Sequence, residues 1–430
     1  MRLYDLLVIA TYQKIHIFVQ QNTTHISRNT PIMGENTIKM VNEARWADGQ
    51  RVRNRLDDIT YDPMRSQEEF VMRLMRENEK SDYGRKYGFE HIRNLDDFKK
   101  SLPLTTYDDY APYISRIMNG ERNVLTAYLT ENISCLPDGK VIPQSRWGVQ
   151  VCYDYGFCAG FYIAANYGYL TEGKTLNLLS SRVERRSSGL TVGNLLGRLL
   201  VKREFDNERV YAIPLDVADT SDKEEILHLQ ALYALSQRDI SLAICKKYEN
   251  LLKLLRYIEK TWPRLTEEIE SGSNVVEANA VRANAIREIM EDHHIGTQLL
   301  TSLWPGLRCV MVYDVDQLSA SFELLRTYCG SSVHFIFMGI TSSLGIFSTA
   351  INLDDPQTVL IPDGMFYEFK PKDAPIGQGR NLLTLDQLEI GRSYELVITT
   401  LSGFYRYQTQ KTFLVVGRYH DTPTVLIDKD

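Results

Sequence analysis

The chain has 430 residues, 43% of them hydrophobic and 24% charged, which is enough for a large core and, by length, for two subdomains. Its net charge is -6 with both signs well mixed, so it carries neither a basic stripe for nucleic acid nor an acidic solvating tail. The six cysteines lack metal-ligand spacing and the adjacent His293 and His294 diverge on a helix. Free thiols, no metal and a reducing, cytoplasmic compartment are expected.

Leu6 to Ala10 is too short an apolar run to cross a bilayer and no cleavage site follows it, so no membrane contact is expected. Residues 1–55 read as a poorly ordered N-terminal extension. Ser66 and Glu69 form a capping-box pattern that opens a helix to about Asn78, with Phe70, Val71, Leu74 and Met75 on one face. Pro103 to Asp108 reads as an extended segment capping a helix from Tyr110 to Asn119, stopped by Gly120.

Thr175–Leu179 and Ile240–Ile244 read as buried strands. Between them Ser221 and Glu224 make a second capping box, and Lys247 to Lys260 is a further helix with Pro263 just beyond it. Cys309–Tyr313 and Val333–Phe337 read as strands around a helix from Leu318 to Thr327. Strand-helix-strand order predicts α/β layers, a mostly parallel sheet flanked by helices, over residues 56–350. From 351 to 430 strands come at short spacing (Thr358–Pro362, Met365–Phe369, Tyr394–Thr400, Thr412–Val416, Thr424–Ile427), which predicts a small antiparallel, barrel-like sheet.

No Gly-x-Ser-x-Gly, His-Glu-x-x-His or Gly-x-Gly-x-x-Gly occurs, so hydrolase, zinc-protease and dinucleotide readings lack a motif. Other runs are informative by their order: Tyr-Gly-x-x-Tyr-Gly-Phe (83–89), Leu-x-Asp-Phe (95–98), Pro-Leu-Thr-Thr-Tyr-x-Asp (103–109), Tyr-Ile-x-Arg-Ile-Met-x-Gly-Glu (113–121) and Ser402-Gly403-Phe404-Tyr405-Arg406-Tyr407. Over roughly residues 66–420 the chain resembles the plant-type acyl-acid amido synthetases, the auxin-responsive promoter family of the adenylate-forming superfamily. The resemblance implies that superfamily's large domain, an acyl acid and an amino acid as substrates, and ATP with Mg²⁺. It also implies a mobile C-terminal domain after the barrel. Asp430 falls almost where that domain begins, so the large domain alone is expected, with a separate chain as one source of the rest.

Three nucleotide motifs follow from the resemblance. The first is a Ser/Thr/Gly loop ending in Lys; in the matching run, Glu131 to Pro143, Ser134 and Lys140 keep phosphate-binding types while Leu136 and Pro137 replace small residues. Pro137 has no amide to offer, and Pro137-Asp138-Gly139 reads as a plain turn in preference to a working loop. The second supplies a Glu for Mg²⁺; here the run is Thr341-Ser342-Ser343, with Ser342 at the Glu position, and a hydroxyl brings no charge to a cation. The third supplies a Gly-Asp turn for the ribose; here it reads Gln410-Lys411, and a lysine cannot accept a hydrogen bond.

Tyr405 and Arg406 persist, with Arg406 suited to a phosphate or carboxylate, or else set in solvent opposite a packed Tyr405–Tyr407 face. If the alignment holds, Ser134, Ser342 and Lys411 face one cleft. The run Tyr153 to Tyr162 lies where the resemblance places helices of the acyl pocket, which makes Tyr153, Phe157 and Phe161 pocket candidates against a core helix with Gly notches. The expectation is a family scaffold with lost or weak adenylation, kept as a small carboxylic-acid binding or regulatory protein, with no catalytic residue, cofactor or metal assigned. The alternatives are an active ATP-dependent ligase working through an acyl-adenylate, using Ser134, Lys140, Thr341, Ser342, Tyr405 and Arg406, and a truncated product without function.

Overall fold

Short polar side chains set where the helices begin. Asp62, Asn94, Ser145 and Asp222 each accept from an amide of the following turn, and Thr106 with Asp109 forms a reciprocal capping box. The computed structural model describes residues 34–428 apart from 137, 180–182, 186–189, 194, 197–198, 200–209, 215–216, 218–221, 293–296, 314–318 and 373–381.

The chain opens with helices α1 (Gly34–Tyr61), α2 (Pro63–Asn78), α3 (Asp82–Lys86), α4 (Leu95–Ser101) and α5 (Tyr107–Met118). Strands β1 (Thr130–Cys135) and β2 (Val141–Ser145) lead into α6 (Arg146–Tyr153), which passes through a π-helical turn (Asp154–Cys158) into α7 (Ala159–Asn166). Then come β3 (Lys174–Asn177), β4 (Val183–Arg185), β5 (Thr191–Gly193), α8 (Lys223–Ser236), β6 (Ile240–Cys245), α9 (Tyr248–Ser271), α10 (Ala280–Glu291), α11 (Leu299–Leu303), β7 (Cys309–Val312), α12 (Ala320–Cys329) and β8 (His334–Phe337). The short β9 (Thr341–Ser342) and β10 (Gly345–Ile346) form a two-stranded turn. They precede β11 (Ser348–Ala350), β12 (Thr358–Leu360), β13 (Met365–Pro371), β14 (Ser393–Thr400), β15 (Tyr407–Tyr419) and β16 (Thr422–Asp428).

The central sheet runs β3-β6-β7-β8 with every pair parallel. Every residue of β6 and β7 is buried, as a sheet covered on both faces requires. Ile240, Ala243 and Cys245 turn to a core with Leu251, Leu255 and Trp304, whereas Leu242 and Ile244 turn to one with Val52, Leu56, Phe157 and Phe161. The second large sheet is antiparallel, in order β11-β12-β16-β15-β14-β13. A third, β2-β1-β5-β4, contains an antiparallel hairpin and one parallel pair.

Residues 34–55, expected as part of a loose extension, belong instead to α1, whose Val52 and Leu56 are fully buried beside the π-turn and α7. The second helix starts at Pro63, because Asp62 caps it four residues ahead of Ser66. The fifth starts at Tyr107, where Thr106 caps it. Pro263 does not end α9: the helix continues to Ser271 because Leu265, Thr266 and Ile269 bury their side chains beyond it. The expected Ser221 cap lies outside the described residues, as do Leu318, His293–His294 and the apolar run at Leu6; Asp222 and Ser319 cap the two helices concerned.

No helix among the described residues is long and apolar enough to cross a membrane, and none of their His, Cys, Asp and Glu side chains gather in a group able to hold a metal. All six cysteines are free, Cys135 exposed and the other five buried. One thiol is therefore expected to react promptly with Ellman's reagent in the native protein and the other five only on unfolding; several fast native thiols would contradict this packing.

Candidate functional site

The runs that carry the resemblance meet each other. The Tyr110 hydroxyl donates to the Tyr405 carbonyl (2.8 Å) and accepts from the Tyr405 amide (2.7 Å), and Thr105 Oγ1 donates to the same carbonyl (2.8 Å). The Tyr405 hydroxyl donates to the Leu125 carbonyl, and its ring stacks on Tyr83 at 4.9 Å. Thr105 also makes backbone bonds to Arg406 and Gln408, stitching the segment before α5 to the start of β15.

Arg406 is neither in solvent nor aimed at a ligand. Its backbone is left-handed (φ 49°), which breaks the alternation expected of a strand and turns the side chain inward. There the guanidinium makes a two-pronged ion pair with Glu368 of β13, both contacts at 2.8 Å, with the two side chains 7% and 1% exposed. Its remaining nitrogen donates to the carbonyls of Lys99 and Leu102, the otherwise unpaired end of α4. The arginine is a strut between α4 and the antiparallel sheet.

The run matching the phosphate loop is a closed hairpin turn. The Leu136 amide donates to the Lys140 carbonyl (2.8 Å), the Gly139 amide to the Leu136 carbonyl (3.0 Å) and the Lys140 amide to Asp138 (3.2 Å). Lys140 itself pairs with Asp138 at 3.0 Å and lies over the Tyr107 ring. Ser134 is buried in β1, its hydroxyl held between the Gln144 side chain and the Gly193 carbonyl at 3.2 Å each. Gln144 reaches on to the Ser343 carbonyl (2.8 Å), so the first two motifs are joined through a glutamine.

A concave surface lies at the carboxyl ends of β6 and β8, where open α/β sheets hold ligands. Two adjoining open-sided hollows there span about 460 and 320 Å³, open solvent included. The first is walled by Cys152, Gly156, Leu195, Leu196 and Ile346, with Thr341, Ser342, Ser343 and Lys246 as its polar lining. The second continues past Gln144 and Gly148 to Thr400 and Ser402. Among the described residues lining either cavity none is acidic, so this donor set does not fit Mg²⁺, which takes carboxylate and water oxygens. Burial pushes the Cys152 thiol up to about 12, which leaves it a wall rather than a nucleophile at neutral pH.

Of the expected residues Thr341 and Ser342 line the cleft, with Ser342 Oγ also accepting from the Leu344 amide to close the β9–β10 turn. Tyr153, Phe157 and Phe161 do not. They pack on the opposite side of the helix, under α1, ring centroids 6.1 and 6.2 Å apart in sequence, with the Arg45 guanidinium over Phe161. Their neighbours Cys152 and Gly156 face the cleft instead. Lys246, missed from sequence, is marked only by being the residue that follows a fully buried parallel strand.

Lys411 lines neither cavity. It is half-buried in a bulge of β15, where Thr409, Gln410 and Lys411 stand opposite Leu396 alone, and Thr409 Oγ1 bonds the Leu396 carbonyl (2.9 Å). Gln410 holds φ 57° at the position where the related pattern has Gly, so the backbone shape of that turn is kept without its residue. Gln410→Gly is expected to raise stability by up to about 1 kcal/mol, read as a higher urea midpoint. A fall would show that the side chain earns its place by a contact.

The model described as the GH3 family N-terminal domain matches residues 52–334, and that described as the GH3 family central domain matches residues 358–428. Indole-3-acetic acid-amido synthetase GH3.8 of Oryza sativa subsp. indica is 24% identical over 405 residues, covering 86% of this chain and 66% of that protein. Indole-3-acetic acid-amido synthetase GH3.3 of Arabidopsis thaliana is 22% identical over 393 residues, covering 83% and 65%. The chain thus spans about two thirds of the length of these curated relatives. In fold it matches the AtGH3.15 acyl acid amido synthetase in complex with 2,4-DB, with a TM-score of 0.76 at 21% identity over 88% of this chain and 70% of that one. The arrangement of parallel and antiparallel sheets matches that structure in fold, and with both domain models matched the chain belongs to the GH3 family.

Proposed function

We propose that this GH3 chain binds a small carboxylic acid in the cleft between β6 and the β9–β10 turn, and that adenylation by it is weak or lost. The observation that carries the reading is the closed turn from Leu136 to Lys140: three of its amides and its lysine are engaged within the turn, and a phosphate cradle needs them free. The lack of a carboxylate among the described lining residues supports it. The apolar walls suit the body of such an acid. The relatives' names supply the probes, indole-3-acetate and 2,4-DB.

The other reading, an ATP-dependent ligase joining the acid to an amino acid, draws on the hydroxyls of Thr341, Ser342 and Ser343 at the cleft. One titration separates the two. The acids are expected to give heat on injection and Mg-ATP none at micromolar concentrations. Acid-dependent release of pyrophosphate would establish the ligase and end the binding-protein reading.

A further inference from the structure

The family frame offers two cations to an anionic ligand, Lys140 and Arg406, and the fold neutralises both, with Asp138 and Glu368 respectively. Two more near the helical wall, Arg51 and Arg55, are paired with Asp154 and Asp363. Lys246 is different: it is exposed, it makes no ion pair among the described residues, and it lines the larger cavity directly after β6. The same cavity is lined by the hydroxyl residues Thr341, Ser342 and Ser343 and by Gly156, Leu196 and Ile346. A ligand filling this space meets one charge of fixed sign, hydroxyls that donate or accept, and hydrocarbon.

We infer that Lys246 is the anchor for the ligand's carboxylate, with the Thr341–Ser343 hydroxyls completing its hydrogen bonds and the ligand's apolar body lying along Gly156 and Ile346. The inference rests on the acid-binding reading above and makes it specific. Lys246 positions the acid through charge, so the cleft discriminates acids from neutral isosteres of the same shape.

The test compares indole-3-acetate with indole-3-acetamide, equal in shape and different in charge, by titration calorimetry on the wild type, Lys246→Met and Lys246→Arg. The wild type is expected to favour the acid roughly ten- to hundred-fold, the worth of one charge-assisted hydrogen bond. Lys246→Met abolishes that preference, and Lys246→Arg keeps part of it. Thermal melts of both variants match the wild type, because the side chain is exposed. If Lys246→Met retains the preference for the acid, the anchor is overturned and acid binding stands. If the wild type binds neither compound, the acid-binding reading fails and the anchor fails with it.

Discussion

Arg406→Met is expected to cost about 3–5 kcal/mol of stability, because it leaves Glu368, 1% exposed, without its partner, and also frees the carbonyls of Lys99 and Leu102. Urea unfolding followed by tryptophan fluorescence reads the loss as a lower midpoint. The double replacement Arg406→Met with Glu368→Leu should recover much of it, since removing both charges removes the desolvation cost together with the attraction. A single variant within about 1 kcal/mol of the wild type would show that the guanidinium is not the strut described here.

Gly339→Ala is expected to prevent folding or to destabilise by more than about 4 kcal/mol. Gly339 links β8 to β9 at φ 111°, and a Cβ there would sit 1.9 Å from the Ser348 carbonyl oxygen and 2.7 Å from its carbon. These are backbone atoms of β11, so no side chain can rotate aside. Gly139→Ala is the internal control. Its φ is 82° but nothing lies within 4 Å of the new methyl, so it should cost only about 1–2 kcal/mol. Soluble yield and urea midpoint separate the two, and near-equal behaviour would mean that conformation alone, rather than the close approach of β11, governs Gly339.

Much of this architecture was legible in local chemistry. Buried runs such as Ile240–Cys245 and Cys309–Val312 announced parallel strands, and the short spacing after residue 350 announced the antiparallel sheet. Helix α1 was not, because it buries polar residues, Arg45 and Asp48, alongside Val52 and Leu56, which blurs the apolar period. The candidate cleft divided the same way. Thr341 and Ser342, which line it, are bracketed by a motif, whereas Lys246 belongs to no motif and reaches the cleft only because β6 and β8 end at the same level. Arg406 read as a phosphate or carboxylate ligand, or by strand alternation as a solvent residue; alternation does not hold for a left-handed residue, and no local pattern announces its partner Glu368. Which side of the helix Tyr153 and Gly156 present was decided by α1, and α1 was the element that sequence missed.

The mutual grip of Thr105, Tyr110, Tyr405 and Arg406 bears on how descent is recognised in proteins like this one. These residues are kept in place by the demands of folding, since replacing any of them unpairs a buried group, whether or not a nucleotide is ever bound. A search keyed to them recovers the scaffold with equal confidence in a working synthetase and in a chain that has turned to another task. Gln410 and Lys411 by contrast lie in a bulge of β15 outside that grip, so the signature beside them reports the fold without reporting the chemistry.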